Sequence, residues 1–177
     1  VPSATTVEVM FNGCTFLKGV ENLDTSSATS FNYMFNSCLA LSYVPDFNTS
    51  NGTSFVSTFQ RTHLLSKMPN IDLSSATDLR NTFAGSGITM VPDLDLSSAT
   101  NLNKMFAGTD QLYRIGNLDC SSGTNFTSMI GYYEDIGFAT TVKEIASIST
   151  PNGVTFTKMF NLAFRLDAVP PGLDTTN

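Results

Sequence analysis

The stretch Leu94–Thr109, Leu-Asp-Leu-Ser-Ser-Ala-Thr-Asn-Leu-Asn-Lys-Met-Phe-Ala-Gly-Thr, sets the plan of the whole chain. It repeats 23 residues earlier as Ile71–Ser86 and earlier still as Leu23–Cys38. The phenylalanine near its end recurs at Phe11, Phe35, Phe59, Phe83, Phe106 and Phe160, and Ile130 fills the column between the last two. A unit this short cannot bury its own apolar side, so each copy must lie against its neighbours and share one continuous core. That excludes an ordinary layered globule and makes the 177 residues a single repeat array.

Within one repeat, Phe31, Met34, Phe35 and Cys38 fall at i, i+3, i+4 and i+7, the stripe of a short helix. Thr29, Thr53, Thr77, Thr100 and Thr124 stand two residues before these stripes, where a hydroxyl can cap the first free amides. Leu41-Ser-Tyr-Val-Pro-Asp46, Leu65-Ser-Lys-Met-Pro-Asn70 and Ile88-Thr-Met-Val-Pro-Asp93 read as short strands, ended by Pro45, Pro69 and Pro92. The expected class is therefore α/β: a leucine-rich-repeat solenoid of about seven repeats of 23–24 residues. Each repeat is expected to give a short strand to a parallel sheet and a short helix to the other side. The chain opens mid-repeat at Val1-Pro-Ser-Ala-Thr and stops mid-repeat at Leu173–Asn177, as expected of a segment of a longer chain.

At this point the residues carry a resemblance. From Leu23 to Pro45 the chain reads Leu-Asp-Thr-Ser-Ser-Ala-Thr-x-Phe-x-x-Met-Phe-x-x-Cys-x-x-Leu-x-x-Val-Pro. This resembles the BspA-type leucine-rich-repeat family, whose repeats carry Leu-Asp-Thr-Ser, Met-Phe and Cys-x-x-Leu in that order. The resemblance implies a curved β/α repeat protein of a kind found on the surfaces of bacteria, some protists and certain phages, and linked to adhesion.

Composition narrows the function. Nine Lys and Arg against fifteen Asp and Glu give a net charge of -6, with no cationic run, which argues against nucleic acid or an anionic membrane as partner. No stretch reaches the roughly 20 apolar residues of a membrane-spanning helix. Cys14 and Cys38 occupy equivalent positions in adjacent repeats and read as two small buried thiols or, alternatively, as a disulfide; Cys120 takes an apolar column. The one histidine, His63, has no nearby Cys or second His for a metal set and no nucleophile elbow for a triad. Neither a catalytic set, a metal nor a cofactor is expected. The column Asp24, Asp72, Asp95, Asp119 and Asp174 either braces turns or, as the alternative, holds calcium. Asn48, Asn51 and Asn125 begin glycosylation-type triplets, which chance supplies freely in a chain this rich in Asn, Ser and Thr.

Two regions remain as candidate binding sites. The variable strand positions face outward in such an array, and the candidates there are Tyr43, Lys67, Met90, Tyr113 and Arg114; Tyr and Arg are the residue types that dominate binding hot spots. The second is an irregular repeat at 131–141, six residues longer than its neighbours. Gly131 and Gly137 bracket Tyr132, Tyr133, Glu134 and Asp135, and the segment is expected to project as a contact loop. On that reading, deleting 131–136 costs no more than roughly 1–2 kcal/mol. The expected function is a non-enzymatic extracellular recognition or adhesion module, on a cell or virion surface, binding a host or cell-surface protein or glycan. It would be an adhesin or a phage tail-fibre-like receptor-binding protein. The alternative is a structural virion or surface subunit that assembles with copies of itself through open repeat ends.

Overall fold

The computed structural model describes residues 4–21 and 23–176, so the expected mid-repeat start falls mainly on residues outside the description. Among the described residues there is no helix. The regular elements are β1 (Met90–Val91), β2 (Leu94–Asp95), β3 (Arg114–Asp119) and β4 (Glu144–Ser149), one parallel sheet in which β3 pairs with the other three. Beyond this sheet, single parallel bridges run from Thr6 to Ser30, Ser54, Asp78, Asn101, Asn125 and Thr155 in turn. Successive coils of chain therefore lie side by side in register.

The α/β leucine-rich-repeat solenoid with a helix in each repeat is thus overturned. The apolar stripe suits a period of 3.6, but it is made of two consecutive four-residue turns. Met34 N–H donates to Phe31 O (3.1 Å) and Cys38 N–H to Phe35 O (3.2 Å), so the first and last residues of each turn point inward. Between them, the amides of Phe31, Tyr33, Phe35 and Ser37 donate to the next coil at 2.8–2.9 Å, where a helix would use them internally. The third residue of each turn, Tyr33 (φ 57°) and Ser37 (φ 59°), is left-handed, as in a type II turn. Such a conformation costs a non-glycine residue about 1–2 kcal/mol. Four ladder bonds per coil at about 1 kcal/mol each, and phenylalanine burial at about 1.5–3 kcal/mol, outweigh the two strained residues.

The core is a column of stacked rings. Phe11, Phe35, Phe59, Phe83 and Phe106 follow one another with centroids 5.3, 5.5, 5.3 and 5.8 Å apart and planes within 12° of parallel. The threonines expected as helix caps do something else. Thr53, Thr77, Thr100 and Thr124 each direct both N–H and Oγ1 to the carbonyl of the threonine one coil before, a ladder of paired bonds along the surface.

Proline decides where the sheet is regular. Gly116 and Ala146 stand in the column that holds Pro45, Pro69 and Pro92, and only there do six-residue strands form. Pro92, lacking an N–H, splits its coil into β1 and β2. The unpaired step is bridged by a side chain: Asn117 N–H donates to Asp93 Oδ1 at 2.7 Å.

The aspartate column braces turns. The amides of Ser26, Ser74, Ser97 and Ser121 donate to Asp24, Asp72, Asp95 and Asp119, all at 3.0 Å, and Thr176 to Asp174 at 2.9 Å. Hydrogen bonds from the Ser or Thr two residues on hold Asp24, Asp95 and Asp174 below the ordinary aspartate value of 3.8. Groups with lowered folded values contribute stability that is present above the unfolded value and lost as pH falls through the folded one. The thermal midpoint is therefore expected to stay level from neutral pH to about pH 5 and to drop below about pH 4. The drop should shrink in Asp95→Ala, as followed by circular dichroism.

Candidate functional site

The same prolines open a groove. Coil 65–71 makes no backbone hydrogen bond from residues 67–71 to either neighbouring coil among the described residues, because Pro45, Pro69 and Pro92 break the ladder on both sides. Three hollows of about 220, 530 and 310 Å³ result. The first and second share Asp46 and residues 67–70; the second and third share Pro92 and Asp93, so they run on as one trough across the coils.

Four of the five sheet-face candidates border this trough. Tyr43 and Lys67 flank the first hollow and Met90 and Arg114 the third, with Tyr43 59% and Met90 55% exposed. Tyr113 is also exposed but stands outside the hollows. Arg114 lies 3.6 Å from Glu144, both half-exposed, a pair worth at most about 1 kcal/mol that nonetheless offsets the local positive charge. Lys67 has no ion-pair partner among the described residues.

Sequence reasoning missed the floor. Asp46, Asn70, Asp93 and Asn117 follow the Pro/Pro/Pro/Gly column one residue on and line the trough as a polar row. The signal was visible, since the strand-like copies end in Pro-Asp, Pro-Asn, Pro-Asp and Gly-Asn. Asn117 is engaged: its Nδ2 donates to Asp93 Oδ1 (3.1 Å) and its Oδ1 accepts from Ser147 Oγ (2.8 Å). The Asn117 bonds hold the Asp93 carboxyl below its ordinary range, and its Oδ2 makes no further hydrogen bond among the described residues. The side chains of Asp46 and Asn70 make none at all among those residues.

The irregular segment does not project; it folds back onto the stack. Tyr133 is 2% exposed and packs with Ala84, Ala107 and Ile136, and its hydroxyl accepts a hydrogen bond from Gln60 Nε2. Lys104 Nζ sits 5.6 Å from its ring centre. Coils with Ala84-Gly85 and Ala107-Gly108 leave the shelf; a Cβ on Gly108 would meet Tyr133 Cβ at 2.6 Å. Of the other loop candidates, Tyr132 is half-buried, while Glu134 and Asp135 remain exposed, Glu134 pairing with Lys158 at 3.0 Å. The two regions are separate, one on the proline-lined sheet face and one over the Ala-Gly shelf.

Of the remaining candidates, His63 is exposed, edge-on to Phe138 at 6.3 Å. Cys14 is exposed, contrary to the buried-thiol reading, and Cys38 is buried; all three cysteines are free. Burial pushes the Cys38 thiol up to about 11 and the Cys120 thiol up to about 12. No group of three or more His, Cys, Asp or Glu side chains among the described residues is arranged to hold a metal. No helix among the described residues is long and apolar enough to cross a membrane.

The family described as "Mycoplasma protein of unknown function, DUF285" matches residues 1–90 and again 77–175, together nearly the whole chain. The chain belongs to that family. No curated protein matches it, and no solved structure does. Membership brings no activity with it, since the family's own description names none.

Proposed function

We propose that this member of the family is a non-enzymatic recognition module displayed outside the cell or on a virion, acting as an adhesin or a phage tail-fibre-like receptor-binding protein. The trough between Tyr43 and Arg114 is the observation that carries the reading. It is long, open to solvent, edged by exposed Tyr, Met and cationic side chains, and carried by a stack whose turn side is fixed by ladder bonds between coils. The finer kinship, to BspA-type surface proteins, belongs to the same proposal and supplies the expected partner, a host or cell-surface protein or glycan. In this reading no cofactor, nucleic acid or membrane insertion is involved.

The test is binding of the fluorescently labelled chain to intact host or bacterial cells. Tyr43→Ala combined with Lys67→Ala should weaken binding about tenfold or more, since each is exposed and its loss removes roughly 1 kcal/mol or more of contact. Binding indistinguishable from background, or unchanged in the double variant, would sink the reading.

A second reading is favoured by exposed apolar side chains along the stack. Phe16 is 91% exposed, Leu64 59% and Val154 68%, and burying them against a second copy would favour association into a surface or virion assembly. Light scattering that shows only monomer at high concentration removes it.

A further inference from the structure

The trough floor has a chemistry of its own, which matters for binding only if the sheet face is the recognition surface proposed above. Peptide groups that pair with neither neighbouring coil must find water or a ligand, and those of 67–71 line the first two hollows. Beside them stand Asp46, Asn70 and the free Oδ2 of Asp93, one polar side chain per coil, none of them committed to holding the fold by that atom. Carboxylate and amide groups in such a row accept from and donate to hydroxyls. Tyr43 offers an exposed ring at one end, a face on which an apolar C–H surface can lie. Coils that pair by ladder bonds lie about 4.8 Å apart, and Asp46, Asn70 and Asp93 recur once per coil, so a chain laid across the coils would meet them in turn.

We infer that the trough binds an unbranched neutral oligosaccharide laid across the coils, with Asp46, Asn70 and Asp93 taking its hydroxyls and Tyr43 stacking on a terminal ring. Charge sets the word neutral. Two carboxylates, Asp46 and Asp93, face a single unpaired ammonium, Lys67, because Arg114 is matched by Glu144. A sialylated or sulfated glycan would meet more negative charge than positive in a chain that already carries a net -6. A protein partner fits less well: Val44, Leu65 and Met68 on the floor are spent in the core, leaving no deep apolar socket for an anchor side chain.

The experiment is titration calorimetry of the full chain with cellotetraose, chitotetraose and lacto-N-tetraose, with sialyllactose as the charged control. Asp46→Ala and Asn70→Ala are the variants, because neither side chain bonds within the described chain and the thermal midpoint should not move. At least one neutral probe is expected to bind, each variant to weaken it about tenfold, the equivalent of about 1.4 kcal/mol, and sialyllactose to bind least. Preference for sialyllactose, no binding of any neutral probe, or neutral binding that both variants leave intact overturns the inference. Cell binding that persists after enzymatic removal of surface glycans also overturns it, while leaving the recognition reading standing; failure to bind any untreated cell takes both away.

Discussion

Phe83→Ala should lower the unfolding free energy by about 3–5 kcal/mol, a large share of the roughly 5–15 kcal/mol that folded domains possess. Phe83 is fully buried and its ring is stacked on two others, Phe59 at 5.3 Å and Phe106 at 5.8 Å. The deletion leaves a cavity that cannot collapse easily, because the backbone on both sides is fixed by ladder bonds from Phe83 N–H to Met105 O and Phe59 N–H to Thr82 O. In a repeat array stability is a sum of coil and interface contributions, so one substitution here weakens two interfaces at once. Urea denaturation should therefore show a lower midpoint and, for this variant, separate transitions for the halves on either side. Phe164→Ala, at a 71% exposed ring, is the control and should change stability by less than about 0.5 kcal/mol. A Phe83→Ala loss below about 1 kcal/mol would show that the ring column does not hold the coils together.

The columns that stack were legible because their cause is periodic. Phe35, Phe59 and Phe83 lie 24 residues apart, and their rings meet at that spacing. The local form was not. Apolar residues at i, i+3, i+4 and i+7 are produced equally by two turns of helix and by two consecutive four-residue turns, and Phe31–Cys38 does not distinguish them by pattern alone. A hint existed in the left-handed positions. The residues at Ser37, Arg61, Gly85 and Gly108 share one column, and the two glycines there suit their φ of 65°. Thr53 and Thr77 pointed to caps by type, yet a threonine repeated in every coil serves a surface ladder just as well.

The candidate site was half legible for a similar reason. Tyr43, Lys67, Met90 and Arg114 were found because they vary where the pattern is otherwise strict. Asp46, Asn70 and Asp93 were passed over because they look like ordinary residues after a proline. Their place along an open trough depends on the absence of backbone pairing beside Pro69, a consequence of stacking three proline-bearing coils that no single repeat displays.

Tyr133→Ala should cost about 3 kcal/mol or more, where the sequence alone led to an expendable loop. The ring fills a shelf kept clear by Ala84, Gly85, Ala107 and Gly108, so truncation leaves a hole over two coils and strands Ile136. Tyr133→Phe keeps the packing and loses only the bond to Gln60, a loss of about 1 kcal/mol. Deleting 131–136 removes Tyr133 and Ile136 together and should be at least as harmful as Tyr133→Ala, despite restoring the repeat length. The phenol supplies an independent check. Burial, with Asp135 beside it, pushes its pKa from 10.0 up to about 12. A group whose folded value is raised contributes stability that is complete below the unfolded value and lost as pH rises toward the folded one. The wild-type chain should thus lose stability between about pH 10 and about 12 more steeply than Tyr133→Phe, as read from urea midpoints across that range. Equal slopes for the two proteins, together with a Tyr133→Ala cost under about 1 kcal/mol, would mean that the segment is a free loop after all and that the shelf is empty in solution.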